Sequence, residues 1–390
     1  MRSQPVSAVQ PALLKWARVS AGLSLEDAAL MLKRRASELA AWESGESAPT
    51  YPQLEKIAYQ VYKRPLAVFF LPQPPEETSP QSEFRTLPDT DLRLLARDTR
   101  LHLRRAHAYQ IGLQELFDGR NPSVQRIWRD LSISQSGSVV AQAQAVRDYL
   151  GITLETQVAW SDDESALRAW RKSIEDSGVF VFKAPFKQKD ISGFCLKDNE
   201  LPVIYLNNST TKTRQIFSLL HELAHLLLAM NGLSKFDTSY IDRLPAAAQS
   251  IERFCNAMAA EILIPSADFA VQSQAFPLEV QQVSEEQFAV LARRYGVSRE
   301  AVLRRFLDQQ RVSPSFYESM AKRWERQKRD RTGGNWQSNQ GAYLSSRFAR
   351  EVVGRHYKHQ LTLEQAADLL GIKPKSYPQF EEHFLRIAGA

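Results

Sequence analysis

Two cysteines in 390 residues, Cys195 and Cys255, are too few for a disulfide framework. They are expected to be unpaired, buried thiols in a reducing compartment. Long hydrophobic runs are also missing: none approaches the ~18 residues of a membrane span. The N-terminal stretch MRSQPVSAVQPALLKWARVS has no apolar core followed by a small-residue cleavage site. A cytoplasmic protein with no membrane partner is the expectation. No Walker-type or dinucleotide-binding glycine pattern occurs, which argues against nucleotide use. Charge of one sign is scarce too, with 50 Lys and Arg against 44 Asp and Glu, so charge alone does not make a DNA binder.

What is present is an ordinary globular composition, 43% hydrophobic and 24% charged, on a chain long enough for two or three domains. Residues 8 to 72 read as a succession of short amphipathic helices, and PQPPEETSPQS after them reads as a boundary. Residues 90 to 175 are helical in pattern again. The only convincing strands are GVFVFKA (178–184), ISGFCLK (191–197) and LPVIYLN (201–207), which are short, β-branched or aromatic, and bounded by turn residues. A helix follows them, and beyond EILIP (261–265) the pattern is helical to the end. It is interrupted by KRWERQKRDRTGGNWQSNQG, whose basic run reads as an exposed linker. FAVLARRYGVSREAVLRRF and LTLEQAADLLGIKPKSY each read as a helix, a Gly-containing turn and a helix, neither strong enough to count as a separate DNA reader.

The chemistry concentrates in HELAHLLL, residues 221 to 228. On a helix, residues four apart lie one above the other, so the imidazoles of His221 and His225 can converge on one ion. Glu222 then sits beside the ion without ligating it, where it can take a proton from water. A third protein ligand is required, and SIERFCNAMAAEILIP offers both Glu252 and Glu261. Spacing does not choose between them. Tyr205 and Tyr240 are conceivable oxyanion donors but read more simply as core or surface tyrosines, and neither is assigned to the site. His356 and His359 have no acid or thiol donor nearby and read as a solvated helical face.

LPVIYLNNSTTKTRQIFSLLHELAHLLL followed by IERFCNAMAAEILIP resembles the ImmA/IrrE family of metallopeptidases. Asn207, Phe217, Ser218, His221, Glu222, His225, Glu252, Asn256 and Pro265 carry the resemblance in that order. It implies a zincin-like domain with a small sheet, Zn2+ as cofactor, Glu252 as third ligand, Glu222 as general base, and peptide hydrolysis as the reaction.

Near the N-terminus, Ser24 is a candidate N-cap with Asp27 three residues on. Trp42, Glu43 and Gly45 resemble the end of the recognition helix in Xre/Cro-type helix-turn-helix domains. A recognition helix over about 36 to 43 puts Arg34, Arg35, Ser37 and Glu38 at the end that enters the major groove. Leu25 stands where that family usually has a phosphate-anchoring Gln, and the outer face of the third helix reads as largely Ala and Leu. Two roles stay open for this domain: binding double-stranded DNA, and protein docking or homodimerisation.

The expected fold is α+β, mostly α. It comprises a helix-turn-helix domain (1–74), a helical linker (75–135), a metallopeptidase domain (136–310) and a helical C-terminal region (311–390). The expected function is a zinc endopeptidase that cleaves a protein, a helix-turn-helix repressor, to control transcription. The alternative is a DNA-binding or antitoxin-like regulator whose metallopeptidase domain acts as a sensor.

Overall fold

The structure, a computed structural model, describes residues 4–6, 8–84, 87–276, 284–328 and 343–388. The end of the basic run, from residue 329, and the glycine-containing stretch after it lie outside the described residues. The fold is α+β and mostly α, with one small sheet. The chain divides into two compact units, residues 1–105 with 186–188, and 106–185 with 189–390.

In the first unit, α1 (Pro11–Ser20), α2 (Leu25–Leu32) and α3 (Ala36–Ser44) pack around Leu13, Leu14, Ala28, Leu39 and Trp42. Ser24 caps α2 through a full capping box with Asp27, each satisfying the other's backbone N–H. Lys33 ends α2 in the left-handed region at φ 58°, and Gly45 ends α3 at φ 83°. Trp42 fills the core, and Glu43 receives a two-pronged bond from Arg18 of α1, at 2.7 and 2.9 Å. The Trp-Glu-x-Gly signature is thus a core anchor, an inter-helix ion pair and a helix stop.

In the second unit, α4 (Val139–Leu150) and α5 (Asp163–Asp176) precede β1 (Phe180–Ala184), β2 (Ile191–Leu196) and β3 (Val203–Asn207). Then come α6 (Lys212–Leu227), β4 (Gly232–Lys235), α7 (Ala246–Leu263), α8 (Glu285–Tyr295) and α9 (Arg299–Asp308). Three helices, α10 (Ser346–Tyr357), α11 (Leu363–Leu369) and α12 (Tyr377–Ala388), lie nearest the C-terminus. The sheet order is β1-β3-β2-β4, with β1 parallel to β3 and the other pairings antiparallel. β4 corrects the expectation of three strands; Gly-Leu-Ser-Lys is too short and too polar to show alternation.

β1, β2 and β3 are buried along their whole length because both faces are covered. Val181, Cys195, Ile204 and Leu206 join the core with α5 and α6. Phe182, Phe194 and Tyr205 form an aromatic layer on the other face, with Tyr109 stacked on Phe182 at 4.1 Å and Phe194 on Tyr205 at 5.1 Å. Tyr205 is therefore a core tyrosine. Among the described residues no single helix is long and apolar enough to cross a membrane. A bent pair, Ala246–Leu263 with Ser266–Ala275, meets that test only as two pieces 59° apart, and Met258, Ile262 and Phe269 of that pair sit in the core.

Lys183 is the exception on the inner face of β1, only 7% exposed. Burial first, then Arg171 of α5 and Lys212 of α6, hold its ammonium down to about 7 against the pull of Glu164 and Glu175. Between that value and the ordinary 10.5 the unfolded chain binds the proton that the folded chain rejects, so stability rises with pH across this window. Lys183→Met is expected to raise the melting temperature at pH 6, with a gain that shrinks steadily towards pH 10. Scanning calorimetry reads this directly, and a gain independent of pH would contradict it.

Candidate metal centre

α6 is the central helix of the second unit and is buried all round from Ser218 to Leu227. Thr211 caps its start, accepting from the backbone N–H of Arg214. Within the apolar run Leu219–Leu227, only His221, Glu222 and His225 are polar, so each needs a partner. α7 packs beside α6 and brings Glu252 to the two imidazoles.

The two Nε2 atoms are 3.1 Å apart. Glu252 Oε2 lies 3.4 Å from His221 Nε2, and Oε1 lies 3.1 Å from His225 Nε2. Ligands about 2.0 to 2.2 Å from a tetrahedral ion stand ~3.3 Å from one another, so this triangle fits a single divalent cation. His225 and Glu252 are fully buried, and His221 is 4% exposed. Glu252 Oε1 and both oxygens of Glu222 lack an aligned hydrogen-bond donor, which is costly for buried carboxylates unless a cation completes the group. Two nitrogens and a carboxylate oxygen form a donor set suited to zinc or a similar first-row ion.

The electrostatics agree with the geometry. Burial alone would lift the Glu252 carboxyl, but His225 and His221 outweigh it and hold it well below the usual carboxylate range. Burial pushes the Tyr240 phenol and the Cys195 thiol up, and the neighbouring carboxylates, Glu252 and Glu222 respectively, add to this.

Four surrounding features complete the wall. The Tyr240 hydroxyl, from the turn of 3-10 helix Thr238–Arg243, donates to Glu252 Oε2 at 2.6 Å. Cys255 Sγ lies 3.6 Å from His225 Nδ1. Cys195 Sγ accepts the N–H of Gly232 at 3.2 Å, so both thiols are free and buried as expected, and both border the centre. Gly232 itself must be glycine. A Cβ there would come within 2.6 Å of the His225 ring and 2.8 Å of Glu222 Oε2.

Glu261, the rival third ligand, is engaged elsewhere, bonded to Arg305 and to the N–H of Ser266. Tyr240, considered in the sequence only as an oxyanion donor and left unassigned, borders the cluster by its bond to Glu252; nothing in its local pattern points to a partner on another helix. His356 and His359 do not share a helical face: α10 ends at Tyr357, His359 is left-handed at φ 58°, and His356 Nδ1 donates to Leu361 O. In the first unit, the α2–α3 turn forms a surface lined by Lys33, Arg34, Arg35, Ser37 and Glu38. Arg34, Arg35 and Ser37 are exposed, and Arg34 reaches Glu38 at 3.6 Å. Leu39 points into the core rather than outward, which leaves half-buried alanines on the outer face of α3.

A two-histidine, one-carboxylate cluster that could hold a metal, with a buried glutamate beside the first histidine, has the composition of a hydrolytic metal site. Family comparison gives the same class: residues 174–307 match the model of the IrrE N-terminal-like domain, peptidase M78, and residues 14–58 match a helix-turn-helix. The chain therefore carries an IrrE N-terminal-like peptidase domain behind an N-terminal helix-turn-helix, the arrangement of a regulator with a peptidase domain. No curated protein matches the chain.

Tyr240→Phe removes only the hydroxyl that orients Glu252. Outer-shell partners of this kind are worth roughly 10- to 100-fold in metal affinity, so zinc should bind that much more weakly in a chelator competition titration. Unchanged affinity would reduce Tyr240 to a packing residue.

Proposed function

We propose that this chain is a zinc-dependent endopeptidase that cleaves a protein substrate, a helix-turn-helix repressor, and thereby controls transcription in the cytoplasm. The observation that carries the reading is the convergence of His221, His225 and Glu252 with Glu222 one residue away on the same helix. Zinc held by these three side chains supplies Lewis acidity, polarising a peptide carbonyl and lowering the pKa of water to about 7.

The chain's own groups supply the rest. Glu222, with no aligned donor on either oxygen, is free to accept the proton of the attacking water and return it to the departing amine. Tyr240 and the Cys255 thiol hold Glu252 and His225 in orientation, the thiol by accepting from Nδ1–H while Nε2 faces the ion. β4, an edge strand beside α6, offers backbone groups to which an extended peptide can add as a further strand. The centre is closed to solvent, so substrate entry requires part of its wall to move. Such closure suits a peptidase that acts only on a cognate partner.

The exposed Arg34, Arg35 and Ser37 favour a second role, attachment of the N-terminal domain to double-stranded DNA, alone or as a homodimer. A regulator that binds DNA and uses the metal site only as a sensor is the competing reading.

Elemental analysis after gel filtration is expected to find about one zinc per chain in the wild type and none in His221→Ala or Glu252→Ala. Glu222→Gln should keep the metal and lose cleavage of the cognate repressor, by about 100-fold or more. Full cleavage by Glu222→Gln would end the assignment of Glu222 as the base, and no cleavage by the metal-loaded wild type would end the peptidase reading and leave the sensor.

A further inference from the structure

The helix-turn-helix match covers residues 14–58, but the same device recurs at the other end of the chain. Ser24 and Asp27 form the capping box of α2; Thr362 and Gln365 form that of α11, at 2.9 and 3.2 Å. Ala28 and Ala29 are buried at the same spacing after the cap as Ala366 and Ala367, and Leu32 corresponds to Leu370. Lys33 turns the chain at φ 58°, and Gly371 does so at φ 67°. Immediately after it, the N–H of Arg34 bonds Ala29 O at 2.9 Å, and the N–H of Ile372 bonds Ala367 O at 2.9 Å.

The correspondence extends to the flanking helices. Leu39 and Trp42 anchor α3 to its core, and Tyr377 and Phe380 hold the same places on α12. Arg18 donates to Leu23 O at 2.8 Å, closing the entry to α2; His356 donates to Leu361 O at 3.0 Å, closing the entry to α11. Arg35 at φ −82° is the extended N-cap of α3, and Lys373 at φ −75° is the extended N-cap of a 3-10 turn, Pro374–Ser376, that leads into α12. In the second copy Pro374 follows at the first helical position, where its missing N–H costs nothing. Two stretches that share their leucines, a Glu and the alanine pair thus follow the same local rules from the capping box to the left-handed turn.

The outward-facing chemistry differs in a telling way. At the turn and the start of the third helix, the first copy presents Lys33, Arg34, Arg35, Ser37, Glu38 and Ala41; the second presents Gly371, Ile372, Lys373, Lys375, Ser376 and Gln379, with Glu382 exposed one turn further on. Lys373, Lys375 and Gln379 are exposed, and Ser376 stands where the first copy has a carboxylate that repels phosphate. Lysines at this edge reach the backbone of a duplex, and Gln379, about one turn into the third helix, reaches base edges.

We propose that residues 346–388 are a second helix-turn-helix that binds double-stranded DNA, with α12 in the major groove and Lys373 and Lys375 on phosphates. The proposal is independent of the peptidase reading.

The test uses the full chain and a fluorescein-labelled mixed-sequence duplex about three helical turns long, ~30 base pairs. Binding is followed by anisotropy between about 50 and 200 mM salt. The background carries Arg34→Ala and Arg35→Ala, so that the first copy contributes little. Adding Lys373→Ala and Lys375→Ala should weaken binding and lower the slope of log affinity against log salt by about 2, close to one unit per lost phosphate contact. Both side chains are exposed, so the thermal melt should not change. Unchanged affinity and slope would overturn the proposal and leave the repeat as a protein-docking module. An equal loss from Lys172→Ala with Lys197→Ala, exposed lysines outside the repeat, would also overturn it, because net charge alone would then explain the binding.

Discussion

A carboxylate shut away from water between two imidazoles governs the second unit. Glu252 is fully buried, and among the described residues no lysine or arginine is paired with it; its near neighbours are His221, His225 and the Tyr240 hydroxyl. Burying such a charge is expensive unless it is paired and hydrogen-bonded, so the surroundings are built around that requirement. α6 must be flanked closely by α7 for the three candidate ligand atoms to fall within 4.8 Å of one another. β4 must open with a glycine, since any Cβ at 232 would displace the His225 ring and Glu222 together. The four-stranded sheet then serves as a stiff backing, its strands buried on both faces, against which α6 cannot rotate.

The same closure that strengthens the electrostatics hides the chemistry. Removing water from around Glu222 raises the worth of its charge in the site, and it also keeps a peptide from reaching it. The wall includes a short turn of 3-10 helix whose Tyr240 is tied to a proposed ligand by a single hydrogen bond. The rest of that turn is tied to α7 through Asp242, which accepts from Gln249 and pairs with Arg253 at 3.0 Å, and these bonds are exposed, so breaking them costs less than unpacking a core helix. Coupling substrate entry to movement of that turn would make recognition by a partner, rather than the presence of any peptide, the condition for cleavage.

What the sequence makes legible follows from how locally each feature is encoded. His221, Glu222 and His225 lie within one turn and a half of a helix, and their spacing alone places them on one face. The three longer strands are legible because their apolar residues are continuous. The choice of Glu252 over Glu261 was not legible from spacing: it depends on which face of α7 meets α6, and on Arg305, 44 residues away, claiming Glu261. The bond from Tyr240 to Glu252 was not legible for the same reason, since a tyrosine in a turn gives no local sign of its partner. β4 escaped because four residues paired with β2 across a bulge carry no period.

The C-terminal repeat shows a different limit. Read by pattern, LTLEQAADLLGIKPKSY is a helix, a Gly-containing turn and a helix, and LTLEQAADLL repeats the leucines, the Glu and the alanine pair of LSLEDAALML before the identities thin out at the turn. Read by what each position must do, the two are equivalent. A hydroxyl and a side-chain oxygen cap the helix, two small residues let a neighbouring helix approach, and a left-handed residue turns the chain. Lys33 and Gly371 do this last job at different strain, since glycine alone adopts positive φ freely. The second copy is thus the more relaxed at its turn. It is also free of the Arg34–Glu38 pairing, which in the first copy offers an arginine an internal partner in competition with phosphate. The second copy carries fewer cations at its turn than the Lys33, Arg34 and Arg35 of the first, but among the described residues Lys373 and Lys375 have no carboxylate partner to compete with phosphate.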